Sequence, residues 1–187
     1  MRKLRLQVQM TIDGFVCGPN GELDWMTGAM DEKVLALMNE LTDSSDTILM
    51  GRKMTEGFVN YWENIVDNHP ESPEYEFAKK MVDIPKVVFS KKQSSMPGRN
   101  VRVENGDLAA AVNALKAQPG KDLIVYGGAG FVSSLIEQEL IDELYLFINP
   151  VTLGEGMRIF KTRKNYQPVS STVYGNGEVV TKYVLAK

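Results

Sequence analysis

The chain alternates short apolar segments with amphipathic helical segments, and this alternation constrains its fold more than any other feature. The apolar runs DTILMG (46–51) and KDLIVYGG (121–128) each lead directly into a segment with helical spacing of apolar residues. Parallel strands need a long crossover connection, which is usually a helix. We therefore expect an α/β protein with a mostly parallel central sheet and helices on both faces.

The remaining segments extend this pattern. Strands are predicted at 3–12, 46–51, 85–92, 99–105, 121–128 and 142–151, and helices at 30–43, 52–66, 72–83, 106–118 and 129–141. Asp107 is a predicted N-cap of the fourth helix. Gly175, Asn176 and Gly177 separate two strand-like segments within 165–187, which predicts a C-terminal antiparallel hairpin.

Composition excludes several classes of protein. A length of 187 residues suits one domain spanning 1–187. With one cysteine and one histidine, neither an internal disulfide nor a His/Cys metal site can form. The net charge of −3, without a basic block or a long apolar run, argues against nucleic-acid and membrane partners. We expect a cytoplasmic protein that binds a small molecule and no metal.

Two strand ends carry glycine at the start of a helix. Gly127, Gly128 and Gly130 follow one strand, and Gly51 with Arg52 and Lys53 follows another. Free N–H groups at a helix start attract phosphate, and glycine lets the backbone approach it closely. The spacing matches neither the Rossmann fingerprint nor the P-loop. Tight strand–helix turns without a ligand are the alternative explanation.

Two further segments have the composition of a binding site. Ser90 and Lys91 lie at the exit of the strand predicted at 85–92, where a hydroxyl and a cation suit a phosphate; taken alone this signal is weak, and the alternative is an ordinary polar loop. Asp13 and Gly14 open a loop that leads to Trp25. This loop is long enough for a lid. Trp25 could line a binding site for a planar ligand or could be a buried core residue, and the sequence favours neither role.

In this order, the motifs MTIDGF, MGRK, FSK and YGGAG resemble those of the dihydrofolate reductase superfamily. The segment DELYLFINPVTLGEGMRIF (142–160) resembles the reductase domain at the C-terminus of the bifunctional riboflavin-biosynthesis deaminase/reductase. The resemblance implies the three-layer dihydrofolate reductase-like fold and hydride transfer from NADPH to a pyrimidine- or pteridine-type substrate. The implied activity resembles 5-amino-6-(5-phosphoribosylamino)uracil reductase. It also implies a homodimer. A zinc deaminase needs a Cys-x-x-Cys motif in addition to His-x-Glu, and the sequence, with its single cysteine, lacks that motif.

The resemblance assigns roles to individual residues. Those expected to bind NADPH are Val16, Gly18, Gly51, Arg52, Lys53, Ser90, Lys91, Gly127, Gly128, Ala129, Gly130 and Phe131. Ser90 and Lys91 would contact the ribose 2′-phosphate, and residues 127–131 the pyrophosphate. The Gly127–Gly128 peptide bond is expected to be cis. Those expected at the substrate are Trp25, Phe58, Phe147, Gly154 and Gly156.

Hydride transfer also needs a proton donor. Asp31 is the first candidate, because its spacing from Trp25 is near that of the folate-reductase carboxylate; the alternative is a first-turn helix charge. Asp13 is the second candidate, with a turn-forming role as the alternative.

Three other functions stay open at this point. The first is a true dihydrofolate reductase, which two departures oppose: Met54 and Phe147 stand where folate reductases carry threonine. The second is a nucleotide-binding protein without catalysis, and the third is an α/β scaffold for protein contacts.

Overall fold

The structure is a computed structural model that describes residues 1–26 and 31–186. The end of the predicted 18–30 loop and Met30, the predicted first residue of a helix, lie outside the described residues. The helices are α1 (Glu32–Asp43), α2 (Arg52–Asn68), α3 (Tyr75–Asp83), α4 (Leu108–Ala117) and α5 (Ala129–Glu137). The strands are β1 (Leu4–Thr11), β2 (Ser45–Gly51), β3 (Lys86–Phe89), β4 (Val101–Glu104), β5 (Asp122–Val125), β6 (Glu143–Asn149), β7 (Tyr166–Val173) and β8 (Val179–Leu185).

The strands form one eight-stranded sheet in the order β4-β3-β2-β5-β1-β6-β8-β7. All pairs from β4 to β6 are parallel, and β8 and β7 add an antiparallel hairpin beside β6. The predicted fold class is therefore confirmed. The helix boundaries follow local capping: Asp107 accepts a hydrogen bond from the Ala110 N–H, as predicted, and caps α4.

Helices cover both faces of the sheet. One face packs α4 and α5 against the alternating residues Leu4, Leu6, Val8 and Met10 of β1. The other face packs α1, α2 and α3 against a second apolar cluster that includes Phe147 of β6. Because successive residues of a strand point to opposite faces, the polar residues of β1 point toward this second face.

The two ends of the parallel strands differ in chemistry. At the amino end, the buried Glu143 carboxylate accepts hydrogen bonds from Lys3 (2.6 Å) and Arg5 (3.2 Å), and it forms an ion pair with Lys182 (3.0 Å). Burial alone would raise the pKa of Glu143, but the bonds from the two lysines lower it to about 2. At the opposite end, here called the carboxyl edge, the strands lead into the glycine turns and loops predicted to bind ligands.

Residues 1–26 and 31–186 contain neither a membrane-spanning helix nor a metal-binding cluster. No helix in these ranges is long and apolar enough to span a membrane. The same residues contain no group of three or more His, Cys, Asp or Glu side chains placed to hold a metal ion.

Candidate functional site

The turn from β5 into α5 is made by glycine backbone. Gly128 is the N-cap of α5 and has φ +85°, a conformation that disfavours side chains. The Gly127–Gly128 bond is trans, so the predicted cis bond is wrong; the positive φ of Gly128 makes the turn instead. Ala129 is half-buried, and a Cβ added at Gly130 would meet no atom within 4 Å. The first turn of α5 is thus open on the side of Gly130.

The first turn of α2 lies directly beside this glycine turn. Gly51 is the N-cap of α2, and a Cβ added there would lie 2.6 Å from Cβ of Phe131. A Cβ added at Gly128 would lie 3.8 Å from the backbone of Gly51. The two helix starts adjoin because both positions lack a side chain. Their unpaired N–H groups form an electropositive surface that suits phosphate.

Cationic and hydroxyl side chains flank the helix starts on the side of β3. Gly51 and Phe89 are paired at the ends of β2 and β3, and Arg52 and Ser90 are the residues that directly follow them. Arg52 is half-buried, whereas Lys53 and Lys91 are exposed. The Ser90 hydroxyl accepts hydrogen bonds from two backbone N–H groups, those of Lys92 (3.2 Å) and Gln93 (3.1 Å). Arg52 and Ser90 thus follow paired residues of β2 and β3, and the binding of phosphate by these side chains stays a prediction.

The loop after β1 is held to the loop after β6. Cys17 and Met157 form an antiparallel bridge, and the Val16 N–H donates to the Met157 carbonyl at 2.9 Å. A Cβ on Gly156 would lie 2.3 Å from the Cys17 carbonyl oxygen, so this contact requires glycine. Gly154 is exposed, and Gly18 is buried beneath the Glu22 carboxylate.

The two predicted proton donors both accept hydrogen bonds from backbone N–H groups. Asp13 accepts from the Leu153 and Gly154 N–H groups and from the Thr11 hydroxyl. The Thr11 hydroxyl is the main cause that lowers the pKa of Asp13, which favours the ionised carboxylate.

Asp31 is the N-cap of α1, and its two oxygens accept from the N–H groups of Lys33 (2.8 Å) and Gly175 (3.0 Å). Asp31 therefore joins the start of α1 to the β7–β8 turn. Both carboxylates organise loops at the carboxyl edge.

Aromatic side chains lie on the face covered by α1 and α2. Phe58 is half-buried and stacks on Tyr126, with ring centroids 6.1 Å apart. Trp25 is half-buried, and its indole N–H has no hydrogen-bond partner among the described residues. Phe147 has 0% exposure and belongs to the core, so its predicted substrate contact is wrong.

The sequence-based prediction missed an amide pair on the same face. The Asn149 Nδ2 group donates to Gln9 Oε1 at 2.6 Å, at the ends of β6 and β1. The signal was present: LQVQM places polar residues in a strand whose two faces are both covered by helices. In such a strand, a polar residue faces a helix and not water.

Comparisons with known proteins agree with this architecture. A family model described as the RibD C-terminal domain matches residues 2–180. The uncharacterized protein YyaP of Bacillus subtilis is 35% identical over 185 residues, covering 97% of this chain and 94% of that protein.

Two solved structures share the fold. A protein of Shewanella sp. PV-4, described as a riboflavin biosynthesis protein, has a TM-score of 0.73 and 21% identity, with full coverage of both chains. The diaminohydroxyphosphoribosylaminopyrimidine deaminase/5-amino-6-(5-phosphoribosylamino)uracil reductase of Thermotoga maritima has a TM-score of 0.66 and 14% identity, covering 99% of this chain and 57% of that one.

Proposed function

The chain belongs to the RibD C-terminal domain family, and we propose from this membership that it is an NADPH-dependent reductase of a pyrimidine-type substrate. The proposed reaction resembles that of 5-amino-6-(5-phosphoribosylamino)uracil reductase, an activity that forms part of the name of the Thermotoga maritima protein. Its substrate would be a small heterocycle with a ribosylamino side chain.

The observation that carries the proposal is the meeting of two helix starts at Gly51 and Gly128. A dinucleotide pyrophosphate needs several N–H donors within a small area, and the starts of α2 and α5 supply them. A Cβ at Gly51 would clash with the Phe131 side chain, and a side chain at Gly128 would strain the positive-φ turn. Arg52, Ser90 and Lys91 lie on the β3 side, where they suit the ribose 2′-phosphate.

NADPH, when bound, supplies the hydride, and the chain's own residues position the reactants. Asp13 holds the loop at Leu153 and Gly154 through two backbone bonds. The Cys17–Met157 bridge fixes the loop of Val16, which would border the nicotinamide. The stacked rings of Phe58 and Tyr126 would wall the substrate on the α2 side.

The contacts of Asp31 favour a pyrimidine over a folate substrate. Folate reductases use a carboxylate at this place to bind the pteridine, whereas both oxygens of Asp31 accept backbone N–H groups. The threonine that supports that carboxylate is also replaced, by the buried Phe147.

We further propose that the protein is a homodimer that associates through β7. This edge strand contains no charged residue, and Val169 and Val173 are 55% and 73% exposed. An edge strand presents unpaired N–H and C=O groups to another chain. Pro168 and the irregular register beside it interrupt this row in β7, so residues 170–173 are the part that would pair.

The proposal is tested by titration calorimetry of the full chain with NADPH and then NADH at fixed salt. We expect micromolar binding of NADPH and much weaker binding of NADH. Lys91→Gln should weaken NADPH binding about tenfold and leave NADH unchanged, since only NADPH carries the 2′-phosphate. Lys121→Gln is the control, because Lys121 precedes β5 at the opposite edge of the sheet.

Failure of both nucleotides to bind would refute the reductase assignment. If NADPH binds, loss of nicotinamide absorbance with ribosylaminopyrimidine substrates tests turnover. NADPH binding without turnover of any such substrate would favour the nucleotide-binding protein without catalysis.

A further inference from the structure

The face of the sheet beneath α1 carries a row of amide side chains within an otherwise apolar core. Gln7 and Gln9 are alternate residues of β1, so both point toward this face, and Asn149 lies beside them on β6. Their surroundings are the apolar cluster that includes Val34, Leu41 and Phe147. Amides at such positions lose hydration and stabilise a core poorly unless every group is bonded.

The bonding within the row leaves two groups free. Asn149 Nδ2 donates to Gln9 Oε1 at 2.6 Å and to the Phe147 carbonyl at 3.2 Å, so both of its hydrogens are used. Gln9 Nε2 and Asn149 Oδ1 have no partner within residues 1–26 and 31–186, and both side chains are half-buried. If the oxygen and nitrogen atoms of both side-chain amides were exchanged, Gln9 and Asn149 would still have one donor group and one acceptor group without a partner.

The Gln7 side chain adds an independent observation. Gln7 is only 4% exposed, and its Oε1 atom has no hydrogen-bond partner among the described residues. A buried amide oxygen without a partner costs about 1–3 kcal/mol, and native proteins pair most such atoms with protein groups or ordered water. Stability alone would favour an apolar residue at this position.

The row lies between the glycine turn and the end of β6. Leu6 is the last β1 residue that pairs with β5, and its partner is Val125. β5 ends there, and Gln9 lies three residues further along β1, in the part of the strand that pairs with β6. The Phe58–Tyr126 stack follows β5 on the same face. Gln9 and Asn149 lie within two residues of the carboxyl ends of β1 and β6, so their free amide groups are at the edge of the sheet where the proposed substrate would bind.

We propose that Gln9 and Asn149 determine substrate specificity by binding a neutral lactam edge. The Gln9 Nε2 group donates to a ring carbonyl, and Asn149 Oδ1 accepts from the adjacent ring N–H. A uracil-type ring presents this pair of groups, whereas a diaminopyrimidine or a pteridine amidine presents donors that favour a carboxylate. This inference rests on the proposed reductase function, because it assigns the ring-binding part of the same site.

The test uses 5,6-diaminouracil and 2,4-diaminopyrimidine as probes, titrated into the full chain with and without saturating NADPH. Side-chain amide signals in ¹H–¹⁵N spectra report binding directly. We expect 5,6-diaminouracil to bind at least tenfold more tightly and to shift the amide signals that disappear in Gln9→Leu and Asn149→Asp. Gln9→Leu should weaken its binding about tenfold through loss of one hydrogen bond.

The isosteric Asn149→Asp should reverse the preference toward 2,4-diaminopyrimidine, since a carboxylate accepts from amidine donors. Asn113→Asp is the matched control, because Asn113 is exposed on α4 at the opposite face. Unchanged probe preference in both Gln9→Leu and Asn149→Asp would overturn the proposal, as would tighter binding of 2,4-diaminopyrimidine by the wild type.

The same titrations separate this inference from the reductase assignment. Binding of NADPH without binding of 5,6-diaminouracil refutes the amide pair and leaves the reductase standing. If the chain binds 5,6-diaminouracil but does not bind NADPH, the reductase assignment is refuted and the binding role of the amide pair stands.

Discussion

Replacing Glu143 with glutamine tests the electrostatic arrangement at the amino end of the sheet. The folded state lowers the pKa of Glu143 from its ordinary value of 4.5 to about 2. At about 1.4 kcal/mol per unit, this shift corresponds to about 3 kcal/mol of stability at neutral pH. The side chain is 5% exposed, so solvent screening does not remove most of this amount.

The direction of the pH dependence follows from the lowered pKa. The stabilisation is fully present above the unfolded value of 4.5 and is lost as pH falls toward 2. About 2 kcal/mol should disappear between pH 7 and pH 3. Urea unfolding should therefore show Glu143→Gln less stable than the wild type by about 3 kcal/mol at pH 7 and by about 1 kcal/mol at pH 3.

Glu139→Gln is the matched control. Its bond to Lys164 is 2.6 Å long, the same as that between Glu143 and Lys3, but the Glu139 side chain is 51% exposed. We expect its loss to cost less than about 1 kcal/mol at either pH. A Glu143→Gln penalty as small as this, or one that stays constant with pH, would refute the reasoning.

Three further predictions concern the carboxyl edge and the sheet edge. Gly51→Ala should weaken NADPH binding at least tenfold in calorimetry, because the added Cβ would clash with Phe131. Gly57→Ala is the control and should bind NADPH normally, because a Cβ there would meet nothing within 4 Å. Equal affinities of the two variants would contradict the close approach of Gly51 to Phe131. Asp31→Ala should lower the free energy of unfolding by about 1–2 kcal/mol in urea, and an unchanged value would show that the cap contributes nothing. Val173→Lys should produce monomers in sedimentation velocity where the wild type forms dimers; dimers in both would exclude pairing through β7.

Much of the fold was predictable because its signals are local. Apolar periodicity identified the helices and strands, and the glycines at 175 and 177 identified the hairpin. The ordered motifs also indicated the family, since they mark the ends of successive strands. Boundaries were less accurate: α3 begins at Tyr75, three residues after the start of the helix predicted at 72–83. Pro73 precedes the N-cap residue Glu74 instead of occupying the first turn.

The candidate site was predictable in part. Gly51 and Gly128 were each identified from their own strand–helix junctions, and strand order then placed β2 beside β5. Phe147 was assigned to the substrate from a motif position, but its alternation within β6 points it into the core. Asp31 was identified as an acid at a helix start, whereas its bond to Gly175 joins residues 144 positions apart and has no sequence signal.

The sequence by itself determined which segments become strands and helices, because backbone propensity, capping and apolar period act over a few residues. Only the tertiary structure decided which residues meet across strands. The contact of Gly51 with Phe131 and the pairing of Gln9 with Asn149 both depend on sheet order and register. Those are set by burial of whole faces, a property of the assembled sheet and not of any one segment.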